Sequence, residues 1–334
     1  MKIIQATSFS IDSLTATEAA SPRARRGEIV VRVNAVSLNY RDLAVLSGSY
    51  MPGLALPYVP ASDACGTVEA IGEDVTRFKV GDRVVPCYIR GWHDGALTLA
   101  QRSQGTLGGP LPGVLQELIV IAAEDAVAAP PHLSDAEAST LPIAALTAWS
   151  CLMCGGIKAG DNVLVQGTGG VALFALQFAR AAGARVVALT SGPEKAALLE
   201  RMGAAAVINY RQTPQWADAV RAATGGVGAD IIVETSGSSL AQSLAAVAFG
   251  GFVGVVGFVA GMEAPLNIRQ LIGPMVRVQG IVVGSRAGLT AMSRAMALHN
   301  IKPLVDSTWT MAQTREAFLR LKSGAHSGKV VIAL

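Results

Sequence analysis

A chain of 334 residues, 51% hydrophobic and 15% charged, has room for about two domains and the means to bury a large core, which excludes a disordered polymer. Its formal net charge of +3, from 27 Lys and Arg against 24 Asp and Glu, comes without a run of like charge that would follow a phosphate backbone, so nucleic acid is not an expected partner. Four cysteines are too few for a disulfide scaffold and fit a reducing cytoplasm, and the opening MKIIQATSFS lacks the apolar core of a secretory signal.

Residues 1–125 read as β-rich, with Ile29–Ala35 alternating and short β-branched runs at Gly66–Ile71 and Arg83–Val85. Arg90–Gly113, rich in Gly, Ser, Gln and Pro, reads as a long surface loop before strand character returns at Leu115–Ile121. At Ser134-Asp135-Ala136-Glu137 the pattern predicts a helix cap with an acidic first turn. A helix through Thr147–Met153 follows. Strands and helices then alternate: Asn162–Gln166, helix Val171–Ala182, Arg185–Thr190, helix Pro193–Met202, Ala206–Ile208, helix Pro214–Thr224 and Asp230–Glu234. These strands are continuous apolar runs, the mark of a parallel sheet covered on both faces. Further elements are expected at Val276–Val283 (strand), Leu289–His299 and Met311–Ser323 (helices) and Lys329–Leu334 (strand).

Mean hydropathy of +0.43 raises the question of a membrane span. The uncharged stretch Thr235–Met262 is long enough. Its Ser236, Ser238, Ser239, Gln242 and Ser243, with six glycines from Gly237 to Gly261, instead predict a helix Ser238–Phe249, a Gly250-Gly251 stop and a buried strand Phe252–Gly257, and no membrane partner is expected.

The strongest motif is Gly167-Thr168-Gly169-Gly170-Val171-Ala172, between the strand NVLVQ and the helix VALFALQFARAAG. It is the dinucleotide fingerprint with Ala in the third small position. Gly167 permits a tight turn, Gly169 lets a pyrophosphate approach the backbone, and the helix N-terminus supplies free N–H groups. At the tip of the next strand an NAD site calls for Asp or Glu; here Thr190 and Ser191 stand instead, followed by Glu194 and Lys195. Ser191 and Lys195, helped by Tyr210 and Arg211, suit a 2′-phosphate, so NADP(H) is the expected cofactor, with Glu194 as the contrary signal of a ribose acceptor.

The order of elements and the segments VTRFKVGDRV (75–84), ASTLP (138–142), LTAW (146–149), KAGDNVLVQ (158–166) with GTGGVA, and SGKVV (327–331) resemble the medium-chain dehydrogenase/reductases over essentially the whole chain. The resemblance implies an α/β protein with a GroES-like β-barrel catalytic domain (1–125 and 287–334), a doubly wound Rossmann domain (126–286) and catalysis in the cleft between them. Where many members hold a catalytic zinc with Cys, His and Cys, this chain has Asn39, Ser62 and Ile143, and only Cys87 lies near the loop of the structural zinc. The resemblance is therefore to the zinc-free, quinone-oxidoreductase-like branch, with no metal expected. Cys151-x-x-Cys154 lacks a second pair or a His and reads as buried thiols, as do Cys65 and Cys87.

Without zinc, substrates that carry their own electron sink are favoured. The expected function is thus NADPH-dependent hydride transfer to a quinone or an α,β-unsaturated ketone or aldehyde. A 2-enoyl thioester reductase, an alcohol dehydrogenase and a non-catalytic NADPH-binding protein remain alternatives. Asn39, Tyr40 and Arg41 fall where the resemblance puts the active-site loop. Tyr40 reads equally as a proton donor or an apolar wall, and Arg41 pairs with Asp42 or acts in catalysis. Tyr50 and Tyr58 are weaker candidates, and Trp92-His93 reads as a loop over the cleft or as plain surface. By resemblance Thr147 touches the cofactor, Gly257 and Phe258 with Val283, Gly284 and Ser285 bracket the nicotinamide, and Arg286 and Lys329 hold phosphate or remain surface charges. A homodimer through strand Val276–Val283 is likewise implied by resemblance alone.

Overall fold

The computed structural model describes residues 1–334. The chain divides into two compact units, one of Met1–Leu146 with Gly284–Leu334, the other of Thr147–Val283. The first unit therefore runs past the expected boundary at 125/126.

The first unit opens on an antiparallel pair, β1 (Lys2–Ala6) and β2 (Leu14–Glu18). Its N-terminal part continues through β3 (Glu28–Ser37), α1 (Tyr40–Leu46), β4 (Asp63–Ile71), β5 (Arg83–Pro86), α2 (Leu99–Gln104), β6 (Leu118–Ala122), β7 (Ala126–Ala128) and α3 (Asp135–Ala138). The helix α2 lies in the segment expected to be a loop. Thr98 accepts from the Gln101 N–H at 3.2 Å and the Gln101 side chain reaches back to the Thr98 N–H at 3.0 Å, a capping box that stabilises the turn despite the polar composition. The expected cap at Ser134 forms the same box with Glu137. Antiparallel pairing of β7 with β5 draws the chain beyond residue 125 into this unit.

The second unit holds α4 (Leu146–Gly155, its first residue assigned to the first unit), β8 (Asn162–Gln166), α5 (Gly170–Ala181), β9 (Arg185–Thr190), α6 (Pro193–Arg201), β10 (Ala206–Asn209), α7 (Trp216–Ala223), β11 (Ala229–Glu234), α8 (Leu240–Ala246), β12 (Val247–Val255), α9 (Arg269–Ile272) and β13 (Arg277–Gly280). Its six strands are all parallel, in the order β10-β9-β8-β11-β12-β13, the doubly wound Rossmann arrangement. Leu164, Val187, Ile232 and Val253 meet Trp216, Val220 and Leu244 in one apolar core.

Two expectations shift here. The helix expected to reach Phe249 stops at Ala246, and Gly250-Gly251 interrupts a strand rather than ending a helix: Ala229 pairs with Val247, but Ile231 pairs with Phe252. Gly250, at φ +72, turns the extra residues outward and leaves Phe249 exposed. β13 is shorter than expected. No helix is long and apolar enough to cross a membrane.

The first unit closes with α10 (Arg286–Leu298), β14 (Val305–Thr310), α11 (Thr314–Lys322) and β15 (Lys329–Ala333). Its main sheet runs β14-β15-β3-β4-β5-β7, with β6 on the free part of β3. β15 thereby lies against the C-terminal end of β3, Val331 opposite Ser37, while Asp63 faces the same Ser37 from the other side. The last strand and two early segments are brought together next to the start of α1. Gly66 permits the tight approach of β4 to β3, since a Cβ there would stand 2.2 Å from the Arg32 carbonyl oxygen.

Candidate active site

In the second unit the chain turns at Gly167, φ +80, between β8 and α5. Gly169, extended at φ −71, precedes the helix, and no side chain caps its N-terminus. The first-turn N–H groups of a helix have no partners within it. The space a Cβ would fill at Gly167 and at Gly169 is open. These features fit a pyrophosphate lying against Gly169, Gly170 and Val171. Thr168 is buried in the turn.

At the tip of β9, Thr190 is buried, and its carbonyl accepts the Tyr210 N–H at 3.0 Å, so the segment after β10 lies beside it. Ser191 and Lys195 are half-buried, Glu194 and Arg211 exposed, and Tyr210 reaches solvent. No carboxylate stands in the position that would bind a ribose 2′-hydroxyl from the strand itself.

A buried polar network, not expected from the sequence, shapes the neighbouring turn. Glu234, at the end of β11, accepts the N–H groups of Ser236 and Gly237 at 2.9 and 3.0 Å, the Gln166 amide at 2.6 Å, and the hydroxyls of Ser239 and Ser243. It ties the ends of β8 and β11 together. Gly257 backs onto the Thr235 carbonyl, where a Cβ would stand 2.8 Å away, and Phe258 beside it is half-buried. Val283 adopts φ +45, a strained conformation for a β-branched residue. Thr147 is buried in the first turn of α4.

In the first unit Asn39 stands just before α1, and its backbone N–H donates to Asp42 Oδ2 at 2.8 Å. Its side chain lies between opposite charges. Lys329 Nζ donates to Asn39 Oδ1 at 2.5 Å and to the Leu38 carbonyl at 2.6 Å, while Asn39 Nδ2 donates to Asp63 Oδ2 at 2.9 Å. The same Asp63 oxygen accepts the Ile143 backbone N–H at 3.2 Å, and Asp63 Oδ1 is buried without a hydrogen-bond partner. Ile143 lies in a π-helical turn, Leu141–Ala145. Burial raises the Asp63 pKa to about 7 against the opposing pull of Lys329, and burial lowers that of Lys329 against the pull of Asp63 and Asp42. Asp42, also buried, is raised by the same cause.

The other predicted residues take varied places. Tyr40, the first residue of α1, is 42% exposed. Arg41 donates to Ser62 Oγ at 2.8 Å and to the carbonyls of Gly108 and Gly109 at 3.1 and 2.6 Å, and lies 3.8 Å from Asp42, which makes it a clamp on a loop. Lys329 is 4% exposed, with two of its donors spent on Leu38 and Asn39, which sets it apart from the phosphate contact expected of it. Arg286 pairs with the Glu124 carboxylate, and its N–H donates to the Trp92 carbonyl at 3.0 Å. His93 is 3.2 Å from the Asp125 carboxylate, so the Trp92-His93 loop is fastened to its own unit. Ser285 caps α10, accepting from the Gly288 N–H at 3.2 Å; Gly284 precedes it, half-buried. Tyr58 is buried and Tyr50 pairs with Arg102. Cys151 is buried as expected but Cys154 is exposed; all four thiols are free.

The donors at the three positions where the resemblance puts zinc ligands do not suit that ion. Asn39 is held by an ammonium, Ser62 accepts from a guanidinium, and Ile143 has no side-chain donor. No cluster of three or more His, Cys, Asp or Glu side chains is placed to hold a metal ion.

Comparison with known proteins agrees with this geometry at the level of family. A family model described as alcohol dehydrogenase GroES-like domain matches residues 25–131, and one described as zinc-binding dehydrogenase matches residues 170–298. A zinc-type alcohol dehydrogenase-like protein of Schizosaccharomyces pombe is 41% identical over 316 residues, 92% of this chain and 91% of that protein. The human quinone oxidoreductase is 26% identical over 328 residues, 95% of this chain and 92% of that one. A solved structure from Sinorhizobium meliloti 1021 superposes with a TM-score of 0.93 at 43% identity, covering 100% of this chain and 99% of that chain. The chain belongs to the medium-chain dehydrogenase/reductase superfamily and is an oxidoreductase of that family.

Proposed function

We propose that this oxidoreductase uses NADPH to reduce conjugated carbonyls, quinones or α,β-unsaturated ketones and aldehydes, without a catalytic zinc. The observation that carries the reading is that Asn39, Ser62 and Ile143 stand where a metal would need soft or imidazole ligands, with Asn39 tied up between Lys329 and Asp63. A substrate that spreads the incoming charge over its own π system needs no Lewis acid. When bound, the reduced nicotinamide supplies hydride. The chain's own part is to seat the pyrophosphate on the amides of Gly169, Gly170 and Val171. Ser191 and Lys195, with Tyr210 beside them, receive the 2′-phosphate, and the contacts expected of Thr147, Gly257, Phe258, Val283, Gly284 and Ser285 orient the ring. Asn39 faces the substrate, and Tyr40, the most accessible side chain of the α1 start, supplies the proton. The four free thiols support a cytoplasmic setting. The exposed edge strand β13 supports a homodimer.

A panel of quinones, enones and secondary alcohols, followed at the nicotinamide absorbance with NADPH and NADH, tests this reading. Turnover of the first two classes with NADPH preferred is expected, with no stoichiometric zinc by elemental analysis. Activity confined to alcohols would overturn the substrate assignment in favour of an alcohol dehydrogenase. Tighter binding of NADH in a fluorescence titration would overturn the cofactor assignment.

A further inference from the structure

The Asn39 amide is held in one orientation. With the ammonium on one side and a carboxylate on the other, a flipped amide would turn its NH2 toward Lys329 and its oxygen toward Asp63, setting donor against donor and acceptor against acceptor. The observed orientation uses Oδ1 for Lys329 and one Nδ2 hydrogen for Asp63. Asp63 is the one acceptor in the chain that the Asn39 amide donates to, so its second Nδ2 hydrogen is left over, and the residue as a whole is 7% exposed. Asn39 therefore has one donor hydrogen left over, while its carbonyl oxygen is already engaged by Lys329. The ammonium on its carbonyl also polarises the amide, which strengthens the free N–H as a donor. Lys329 is itself fixed, by the Leu38 carbonyl and by its place in β15.

We propose that Lys329 is the positioning residue that makes Asn39 a hydrogen-bond donor to the substrate carbonyl oxygen. The proposal rests on the reduction of a conjugated carbonyl argued above and names the group that takes the metal's electrophilic part. As hydride forms a C–H bond at the β-carbon, the C=C pair shifts toward the carbonyl carbon and the C=O π pair moves onto oxygen. The nicotinamide is oxidised and the substrate becomes an enolate. The Asn39 N–H stabilises that oxygen and keeps its proton, and the α-carbon takes a proton from a separate acid, the Tyr40 hydroxyl named above.

The test compares cyclohex-2-enone with 1,4-benzoquinone in the wild type, Lys329→Met and Asn39→Ala. A hydroquinone anion is a weak base and needs little help, whereas an enolate needs much. Both variants should lose about 100-fold in kcat on the enone, as for removal of one oxyanion donor, and less than about tenfold on the quinone. Binding of NADPH should change by less than about threefold. In the complex of enzyme, NADP+ and 13C-labelled enone, the C=O stretch should lie at lower frequency in the wild type than in either variant. Should Lys329→Met fail to fold, the double variant Lys329→Met/Asp63→Asn removes both charges and carries the same comparison. Equal losses on the two substrates, or an unshifted carbonyl band, with the wild type active would overturn the role of Lys329. A wild type that binds NADPH but turns over neither substrate would instead overturn the reading on which the proposal rests, and the proposal with it.

Discussion

The glycine turn of the second unit and the Asn39 network of the first present their polar groups in opposite ways. In the second unit the glycine turn offers backbone amides beside open space, with no side chain filling it. In the first, Asn39, Asp63 and Lys329 are buried and engage one another. An open cradle tolerates a change in its own fold and fails in binding; a closed network of charges fails as a fold first. The difference separates binding energy from folding energy within one chain, and substitutions on each side should show it.

The largest effect is expected, above about pH 7, from Asp63→Ala, which takes from buried Lys329 one of the two carboxylates that pull on it and leaves the Asn39 and Ile143 N–H groups without their acceptor. Unfolding free energy should fall by about 3–5 kcal/mol, read from the urea midpoint. Next comes Gly169→Val. The backbone there is extended and a Cβ meets nothing within 4 Å, so stability should hold to within about 1 kcal/mol. Affinity for NADPH should nevertheless drop by about 100-fold, roughly 2.7 kcal/mol, in a fluorescence titration. If Gly169→Val destabilised the protein as much as Asp63→Ala, the contrast would fail. A smaller change is expected from Lys195→Ala: NADPH binding weakens about tenfold while NADH binding stays level, because the charge-assisted contact exists only with the 2′-phosphate.

A further effect, smallest when read as a slope per pH unit, is in the pH dependence of folding. In the folded chain burial raises the Asp63 pKa to about 7, against an ordinary value of 3.8. The folded state thus holds more protons than the unfolded one between about pH 4 and 7. The group's contribution is greatest below about pH 4 and is lost as pH rises through about 7. Urea titrations of wild type and Asp63→Asn should therefore show the difference moving in favour of the wild type as pH falls across that window, by less than about 1.4 kcal/mol per pH unit. A difference that moved the other way would mean that Asp63 is ionised throughout.

What was legible in the sequence was what is local in it. The glycine turn, its flanking strand and helix, and the strand Arg185–Thr190 lie within one short stretch, and the predicted bounds of β8 and β9 agree with the structure. The first unit's network was not legible, because Lys329 and Asn39 are 290 residues apart and meet only once β15 pairs with β3. A faint signal existed: Asp63 sits in the apolar run VPASDACGTV, where a carboxylate needs a partner. The helix α2 was hidden by composition, although Thr98 and Gln101 have the spacing of a capping box. The end of α8 is not legible because Gly250 serves a strand irregularity, and a glycine pair reads the same in either setting.

The π-helical turn at Leu141–Ala145 has a consequence for redesign. What residue 143 gives to Asp63 is a main-chain amide, a contact blind to the identity of the side chain. Installing Cys at 143, with Cys at 39 and His at 62, would supply three metal-binding groups and still leave an ammonium from β15 in their midst. Converting this protein into a metalloenzyme therefore calls for a fourth exchange at Lys329, a position that alignment of ligand residues alone would never suggest.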